Sequence, residues 1–394
     1  MKNSCVYSGK RKRKIAIVTA TRAEYGLLTP LIRRVAEDED LELDLCVTGA
    51  HLSEKQGYTV DAIREDGFFI AHEIPILEKG NKPFDISLTM AKAVKGFAEC
   101  FRDDRPDIAV ILGDRTEMLG VASAAMNERI PIAHIHGGEV TKGAVDDCVR
   151  HALTKMSYLH FTATEEYRRR VIQMGEDPCR VFNAGSLGTE NILREHLMTD
   201  SEVRAEIGIP QEKPYAVVTF HPVTLEDATA EEQAGVLCRI MDERDNMFYL
   251  ITKANADTGG DAVNEVFEKY AKGHENVRFV SSLGMKRYLS AVKHASLVLG
   301  NSSSGILEAP VLGTPTVNIG DRQKGRMMAE TVICCEPEAR AIREAMEKAE
   351  HMPHRASMLF GNGQASEKIV EVIKNYVMRN KIDLKKGFYE VSVK

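Results

Sequence analysis

The chain reads as an α/β protein of two doubly wound domains, and three observations carry that reading. Short apolar runs alternate with helical patterns through the first half, at the spacing of strand–helix–strand units around a parallel sheet. The rhythm pauses near Asn183-Ala184-Gly185-Ser186 and, after the breakers Ile209-Pro210 and Lys213-Pro214, starts again. At 394 residues the chain is also too long for one ordinary core.

Taken in order, strands are expected at 15–19, 41–47, 69–74, 107–112, 131–135 and 158–162, with helices at 27–37, 58–66, 84–103, 116–127, 146–156 and 165–174. A second series follows, with strands at 215–220, 247–251, 277–280, 296–300 and 315–319 and helices between them. The expected division is an N-terminal domain over 14–185, a C-terminal domain over 186–363, and a helix and tail over 364–394 that cross back to the first domain. Ligands of such a pair are expected in a cleft between the carboxyl edges of the two sheets.

Composition narrows the class. The chain is 43% hydrophobic with a net charge of −6, which suits a soluble globular protein and gives no electrostatic reason to expect nucleic acid or membrane partners. The run Lys10 to Lys14 is the exception, and directly before the first strand it is expected to be a solvated leader. Eight cysteines lie scattered without C-x-x-C spacing, as reduced thiols in a cytoplasmic protein would. No apolar stretch approaches the ~20 residues that span a bilayer.

The densest chemistry is His134-Ile135-His136-Gly137-Gly138-Glu139, followed by Asp146-Asp147 and Arg150-His151. It begins where an apolar strand ends, the edge at which open α/β sheets hold ligands. Asp146 and Arg150 are i, i+4 and share a helix face. Metal binding by His134, His136, Glu139 and Asp146 is one reading, but no familiar ligand spacing appears, and acid–base work by carboxylates near an arginine fits better.

Thr21-Arg22-Ala23-Glu24-Tyr25-Gly26 follows the first strand. It is not a G-x-G-x-x-G loop, so it argues weakly for a dinucleotide, although Arg22 can fork onto phosphate oxygens. A surface Arg–Glu pair is the plain alternative. Gly113-Asp114-Arg115 ends another apolar strand, where Asp114 is either a site carboxylate or a helix cap. In the second half, His221 closes a strand, and Asn255 and Asp257 sit in a polar loop after the next. The sharpest signal is Gly300-Asn301-Ser302-Ser303-Ser304-Gly305 before a helix carrying Glu308. Small residues, hydroxyls and a helix start suit a diphosphate, and Glu308 can accept the two hydroxyls of a ribose. The plain alternative is a serine-capped helix. Gly320 to Arg326 adds the cations Arg322 and Arg326.

These motifs, in this order, resemble the hydrolysing UDP-N-acetylglucosamine 2-epimerases of bacterial sialic acid and legionaminic acid biosynthesis, over residues 14 to 375. The resemblance implies two Rossmann-like domains in the GT-B arrangement, a UDP-sugar substrate, no metal or nicotinamide cofactor, and a homodimer. It matches Ser302 and Ser303 to phosphate-binding serines and Glu308 to a ribose-binding glutamate. It also matches Asp114 to a catalytic aspartate, Asp146 and Arg150 to a helix pair, and His221 to a second-domain histidine. His136, Glu139, Arg22, His51, Arg115, Asn255, Asp257, Arg322 and Arg326 complete the implied site. Non-hydrolysing and animal relatives carry a glutamate where this chain has His136, and bacterial hydrolysing members commonly have histidine there.

The implied reaction removes the carbon 2 proton while UDP leaves carbon 1, giving a 2-acetamidoglucal that water then hydrates. The expected substrate is UDP-N-acetylglucosamine, with N-acetylmannosamine as product; the same reaction on UDP-N,N'-diacetylbacillosamine is the alternative, and a non-hydrolysing epimerase ranks behind both. A GT-B glycosyltransferase would need an acceptor surface, and a nucleotide-sugar sensor would have lost the site carboxylates that this chain keeps. Sequence does not divide base from acid among Asp114, His136, Glu139 and Asp146.

Overall fold

The computed structural model of the protein describes residues 11–80, 82–141, 145–222, 229–254, 260–379 and 382–392. The chain divides into two compact units, Met1–Glu190 with Gly361–Lys394, and Asn191–Phe360. Each is built on one parallel sheet.

In the first unit the strands are β1 (Arg13–Thr19), β2 (Leu41–Thr48), β3 (His72–Ile74), β4 (Ile108–Leu112), β5 (Ile132–Ile135), β6 (Leu159–Thr162) and β7 (Val181–Asn183). They lie in the order β3-β2-β1-β4-β5-β6-β7. Both faces are buried, so alternate residues of one strand feed different cores. Ile15 and Ile17 join a cluster with Leu28, Leu31 and Ile32 of the helix Arg22–Glu37, whereas Ala16 and Val18 join Phe97, Phe101 and Val121 on the other side. The strand order reverses between β1 and β4, the switch point at which doubly wound sheets open a crevice.

The second unit contains β8 (Tyr215–Thr219), β9 (Phe248–Thr252), β10 (Val277–Val280), β11 (Leu297–Gly300), β12 (Thr316–Ile319) and β13 (Val332–Cys335), in the order β10-β9-β8-β11-β12-β13. Its switch point lies between β8 and β11. Ala216 and Val218 face one core, Tyr215 and Val217 the other. Gly300 is required where β11 ends. Its φ is +136°, and a Cβ there would stand 2.0 Å from the Thr219 carbonyl oxygen on β8.

The helix Ala365–Met378 belongs to the first unit, where Ile369, Ile373 and Val377 enter the same core as Leu28 and Leu31. Buried Glu190 fixes its start by accepting the Ser366 backbone N–H and hydroxyl, each at 2.6 Å. Lys374 reaches back to Asp38 at 2.8 Å. The final segment then docks on Glu176, whose fully buried carboxylate takes His160 at 2.9 Å, Lys155 at 2.6 Å and Lys386 at 2.6 Å.

Four sequence expectations change. The first helix starts at Arg22 instead of 27, because the Thr21 side chain caps it by accepting the Glu24 N–H at 3.3 Å. The basic run is a solvated leader only in part: Arg11 and Lys12 are exposed, but Arg13 and Lys14 open β1, where Arg13 pairs with Asp107 at 3.0 Å and Lys14 pairs with Asp104. The edge strands β7 and β13 are three and four residues long and escape a search for apolar runs. The helix after Gly300 is broken into Ser304–Leu307 and Ala309–Leu312, with Glu308 and Pro310 at the break. Among the described residues no helix is long and apolar enough to cross a membrane.

Burial raises the Glu176 pKa, but the hydrogen bonds from His160, Lys155 and Lys386 outweigh it and hold the carboxyl at about 2, below its ordinary 4.5. Stability from this group is therefore complete above about pH 4.5 and is lost as pH falls towards 2. Glu176→Gln is expected to cost on the order of 2–3 kcal/mol at neutral pH in urea denaturation, a difference that shrinks on acidification.

Candidate functional site

The site elements of the first unit gather at the carboxyl ends of β4 and β5. The Gly113 N–H donates to Ile135 O at 3.0 Å, tying the tip of β4 to β5, and the His136 N–H donates to Phe161 O at 2.8 Å, tying the tip of β5 to β6. Fully buried His134 supports this join from below, with Nε2 2.7 Å from the Gly113 carbonyl oxygen. A carbonyl only accepts, so Nε2 carries the hydrogen. Burial pushes the His134 pKa down to about 3 and keeps the ring neutral. His134 is thus a strut, with its Nε2 unavailable to a metal.

Above the strut lies Arg150, on the helix Asp146–Met156 and only 3% exposed. A buried guanidinium needs its donors satisfied and its charge balanced. Arg150 pairs with Asp114 and with Asp147, and it donates to Glu139 O at 2.9 Å and Thr141 Oγ1 at 3.0 Å. Asp147 also accepts the Thr141 N–H at 2.9 Å. One cation thereby joins the tip of β4, the loop after β5 and the following helix. Asp114 does not cap the helix Thr116–Asn127; Arg115 occupies that N-cap position.

Two aspartates on this helix lie within reach of Arg150. Asp147, at i, i+3, holds Arg150. Asp146 stands half-buried in the first turn, and among the described residues its carboxylate has no hydrogen bond or ion pair. His136 adopts φ +66°, a left-handed conformation uncommon for a residue with a Cβ. Its Nδ1 lies 3.6 Å from Glu139 Oε1, and its buried Nε2 has no partner among the described residues.

The remaining first-unit residues sit nearby in the fold with other partners. Arg22 is exposed in the first turn of its helix. Arg115 Nε donates to Glu117 at 2.6 Å, so its charge is already engaged. Beside it, Glu24 is 8% exposed and burial lifts its carboxyl to about 7, so the surface Arg–Glu pair offered as the plain alternative does not form. His51 is fully buried, with its ring nitrogens 3.0 Å from the Thr19 hydroxyl and 2.8 Å from that of Thr59. Burial pushes its pKa down to about 4. His51 holds the ends of β1 and β2 from inside.

In the second unit, His221 follows β8 and the serine loop follows β11, the two strands that flank the switch point. Fully buried Asn301 binds them: its Oδ1 accepts the His221 N–H at 2.7 Å and its Nδ2 donates to His221 O at 2.8 Å. The carbonyl of Asn301 in turn accepts Gln323 at 2.9 Å and Arg322 at 3.3 Å. The serine loop, His221 and the loop after β12 are therefore one hydrogen-bonded assembly. Ser302 and Ser303 are half-buried at its rim.

Glu308 lies at the break between the two four-residue helices, so the helix dipole expected at this loop is small, and anion binding rests on N–H groups and hydroxyls. Burial raises the Glu308 pKa, and the Ser304 hydroxyl opposes that by donating to its carboxylate. Tyr288 donates to Ser304 at 2.8 Å, completing a Tyr288–Ser304–Glu308 chain. Tyr288 comes from the helix Gly284–His294, and no local motif marks it. Arg326 is half-buried in the same turn as Arg322. Asn255 and Asp257 lie outside the described residues.

Among the described residues, His134, His136, Glu139 and Asp146 do not form a group with metal-ligand spacing. The first unit by itself offers an ion-paired aspartate, an aspartate with no partner among the described residues and a His–Glu pair; the second unit by itself offers a polar loop suited to a diphosphate. A "GDP/UDP-N,N'-diacetylbacillosamine 2-epimerase (hydrolyzing)" of Campylobacter jejuni is 41% identical over 340 residues, covering 86% of this chain and 88% of the relative. The "Polysialic acid biosynthesis protein P7" of Escherichia coli is 37% identical over 385 residues, 96% of this chain and 98% of the relative. A crystal structure of UDP-GlcNAc 2-epimerase from Neisseria meningitidis bound to UDP-GlcNAc superposes with a TM-score of 0.75 at 17% identity, covering 92% of this chain and all of that one, and so shares the fold. The profile of the UDP-N-acetylglucosamine 2-epimerase family matches residues 33–374, and the chain belongs to that family.

Proposed function

We propose that the protein is a hydrolysing 2-epimerase of a UDP-linked 2-acetamido sugar, releasing UDP and the free sugar inverted at carbon 2. The observation that carries this reading is the cluster on Arg150, which holds Asp114 at a strand tip while Asp146, next to the paired Asp147, keeps a carboxylate with no partner among the described residues.

The chemistry asks for two things. UDP must leave carbon 1 with its bonding electrons, and a base must take the proton of carbon 2, leaving a 2-acetamidoglucal. Water then adds its oxygen to carbon 1, while an acid delivers a proton to the opposite face of carbon 2. The carbon 2 proton is weakly acidic, so stabilising the departing diphosphate is the larger task. Ser302, Ser303 and the N–H groups of their loop are assigned to it, with Arg22, Arg322 and Arg326 as cations, and Glu308 holds the ribose. Asp114, His136, Glu139 and Asp146 are assigned to the proton transfers, and Arg150 positions Asp114. His221 is assigned to the nucleotide side.

For the sugar, we take UDP-N,N'-diacetylbacillosamine as the substrate, on the strength of the 41%-identical relative that bears that name. This displaces UDP-N-acetylglucosamine, the sugar in the family's name, to the second reading.

Proton NMR in D₂O with each UDP-sugar in turn tests both levels. The expected result is free sugar deuterated at carbon 2 with one UDP per sugar, faster with the diacetamido substrate; release without deuterium at carbon 2 would exclude the elimination. Asp114→Asn and Asp146→Asn are each expected to lower kcat by about 10²–10⁴-fold while UDP still binds. Near-native turnover in either would remove that residue from the proton transfers. Glu308→Ala is expected to weaken UDP binding by roughly 10–100-fold in calorimetry, and an unchanged Kd would refute the ribose assignment.

A further inference from the structure

A second constellation lies on β2, β3 and the end of the helix Pro83–Asp103, and it shares no residue with the candidate site. Asp44 is a carboxylate in the middle of a buried strand, 2% exposed, and its Oδ2 has no hydrogen-bond partner among the described residues. His72 opens β3, in register with Cys46 of β2. Asp104 closes the helix Pro83–Asp103 as its C-cap. The three side chains converge: His72 Nε2 lies 3.3 Å from Asp44 Oδ1 and 3.2 Å from Asp104 Oδ2, and one ligand atom from each falls within 4.8 Å of the others.

We propose that Asp44, His72 and Asp104 bind a zinc ion that clasps β2, β3 and the end of this helix together. Tetrahedral zinc with bonds of ~2.0–2.1 Å places its ligands about 3.4 Å apart, close to the separations from the imidazole to each carboxylate. One imidazole with two carboxylates is a borderline donor set that suits zinc over magnesium or calcium, which prefer oxygen alone. The outer partner is also present. Lys14 pairs with Asp104 Oδ1, the oxygen that His72 does not touch, and so orients the carboxylate instead of blocking it. Asp104 and His72 are partly exposed, at 41% and 24%, which gives an entry path and room for a water as fourth ligand.

The buried Asp44 supplies the physical motive. Desolvation is the largest influence on its carboxyl and raises it to about 6, against the pull of His72 and Lys14. A divalent cation beside Oδ1 would neutralise this buried carboxylate. Binding uses the imidazole Nε2 of His72 as a ligand.

The test uses the full chain, stripped with a chelator and titrated with Co²⁺ by visible absorption and with Zn²⁺ by calorimetry. One equivalent is expected, with a rise in Tm on adding zinc. His72→Gln and Asp44→Asn are each expected to weaken binding by more than the roughly 10–100-fold that loss of an outer partner costs. Asp146→Asn is expected to bind as the wild type does. Circular dichroism checks folding, and if Asp44→Asn does not fold, the partly exposed His72→Gln decides alone. No stoichiometric binding by the wild type, or equal affinity in His72→Gln, would overturn the proposal.

Discussion

The first unit's site is organised by the need to accommodate one buried positive charge. Arg150 is out of water, and its guanidinium cannot shed its proton. Two carboxylates, a carbonyl and a hydroxyl must therefore come to it, and they arrive from three separate segments. The position of Asp114 at the tip of β4, the course of the loop after β5 and the start of the helix Asp146–Met156 all follow from that requirement. His134 adds the complement below: an uncharged ring fixes the Gly113 carbonyl, so the residue before Asp114 is anchored from inside the sheet.

The second unit solves a similar problem without a charge. Asn301 is fully buried and uses both ends of its amide on the backbone of His221, while its own carbonyl collects Gln323 and Arg322. This close approach of β11 to β8 depends on Gly300, since any side chain there would meet the Thr219 carbonyl. In both units a polar strut spans the switch point or the strand beside it, where the sheet alone leaves strand ends unpaired. The serine loop is thus a preorganised set of donors resting on a rigid base.

Much of the fold was legible because it rests on local signals. Eleven strands were placed from apolar runs bounded by glycine, proline or polar residues, and all eleven are present. Of the four edge strands, β3 and β10 are legible in the sequence and β7 and β13 are not, since a short strand gaining one neighbour needs little apolar surface. The helix start at Arg22 was missed because its cap, Thr21, was read as part of a loop motif. The broken helix at Glu308 shows a similar limit: the break beside Pro310 weakens the dipole at the serine loop, which the serine motif alone does not reveal.

By itself, the sequence determined the two α/β alternations, the strand tips at which the polar motifs sit, and the crowding of carboxylates around one arginine. Only the tertiary structure decided which carboxylate takes which partner. Asp146 and Asp147 both lie within reach of Arg150 along a helix, at i, i+4 and i, i+3. The choice falls to Asp147 because Asp114, from another strand tip, and the Glu139–Thr141 loop approach Arg150 from their own directions. Hydrogen-bond geometry around a buried charge is a non-local constraint, and no window of sequence contains it.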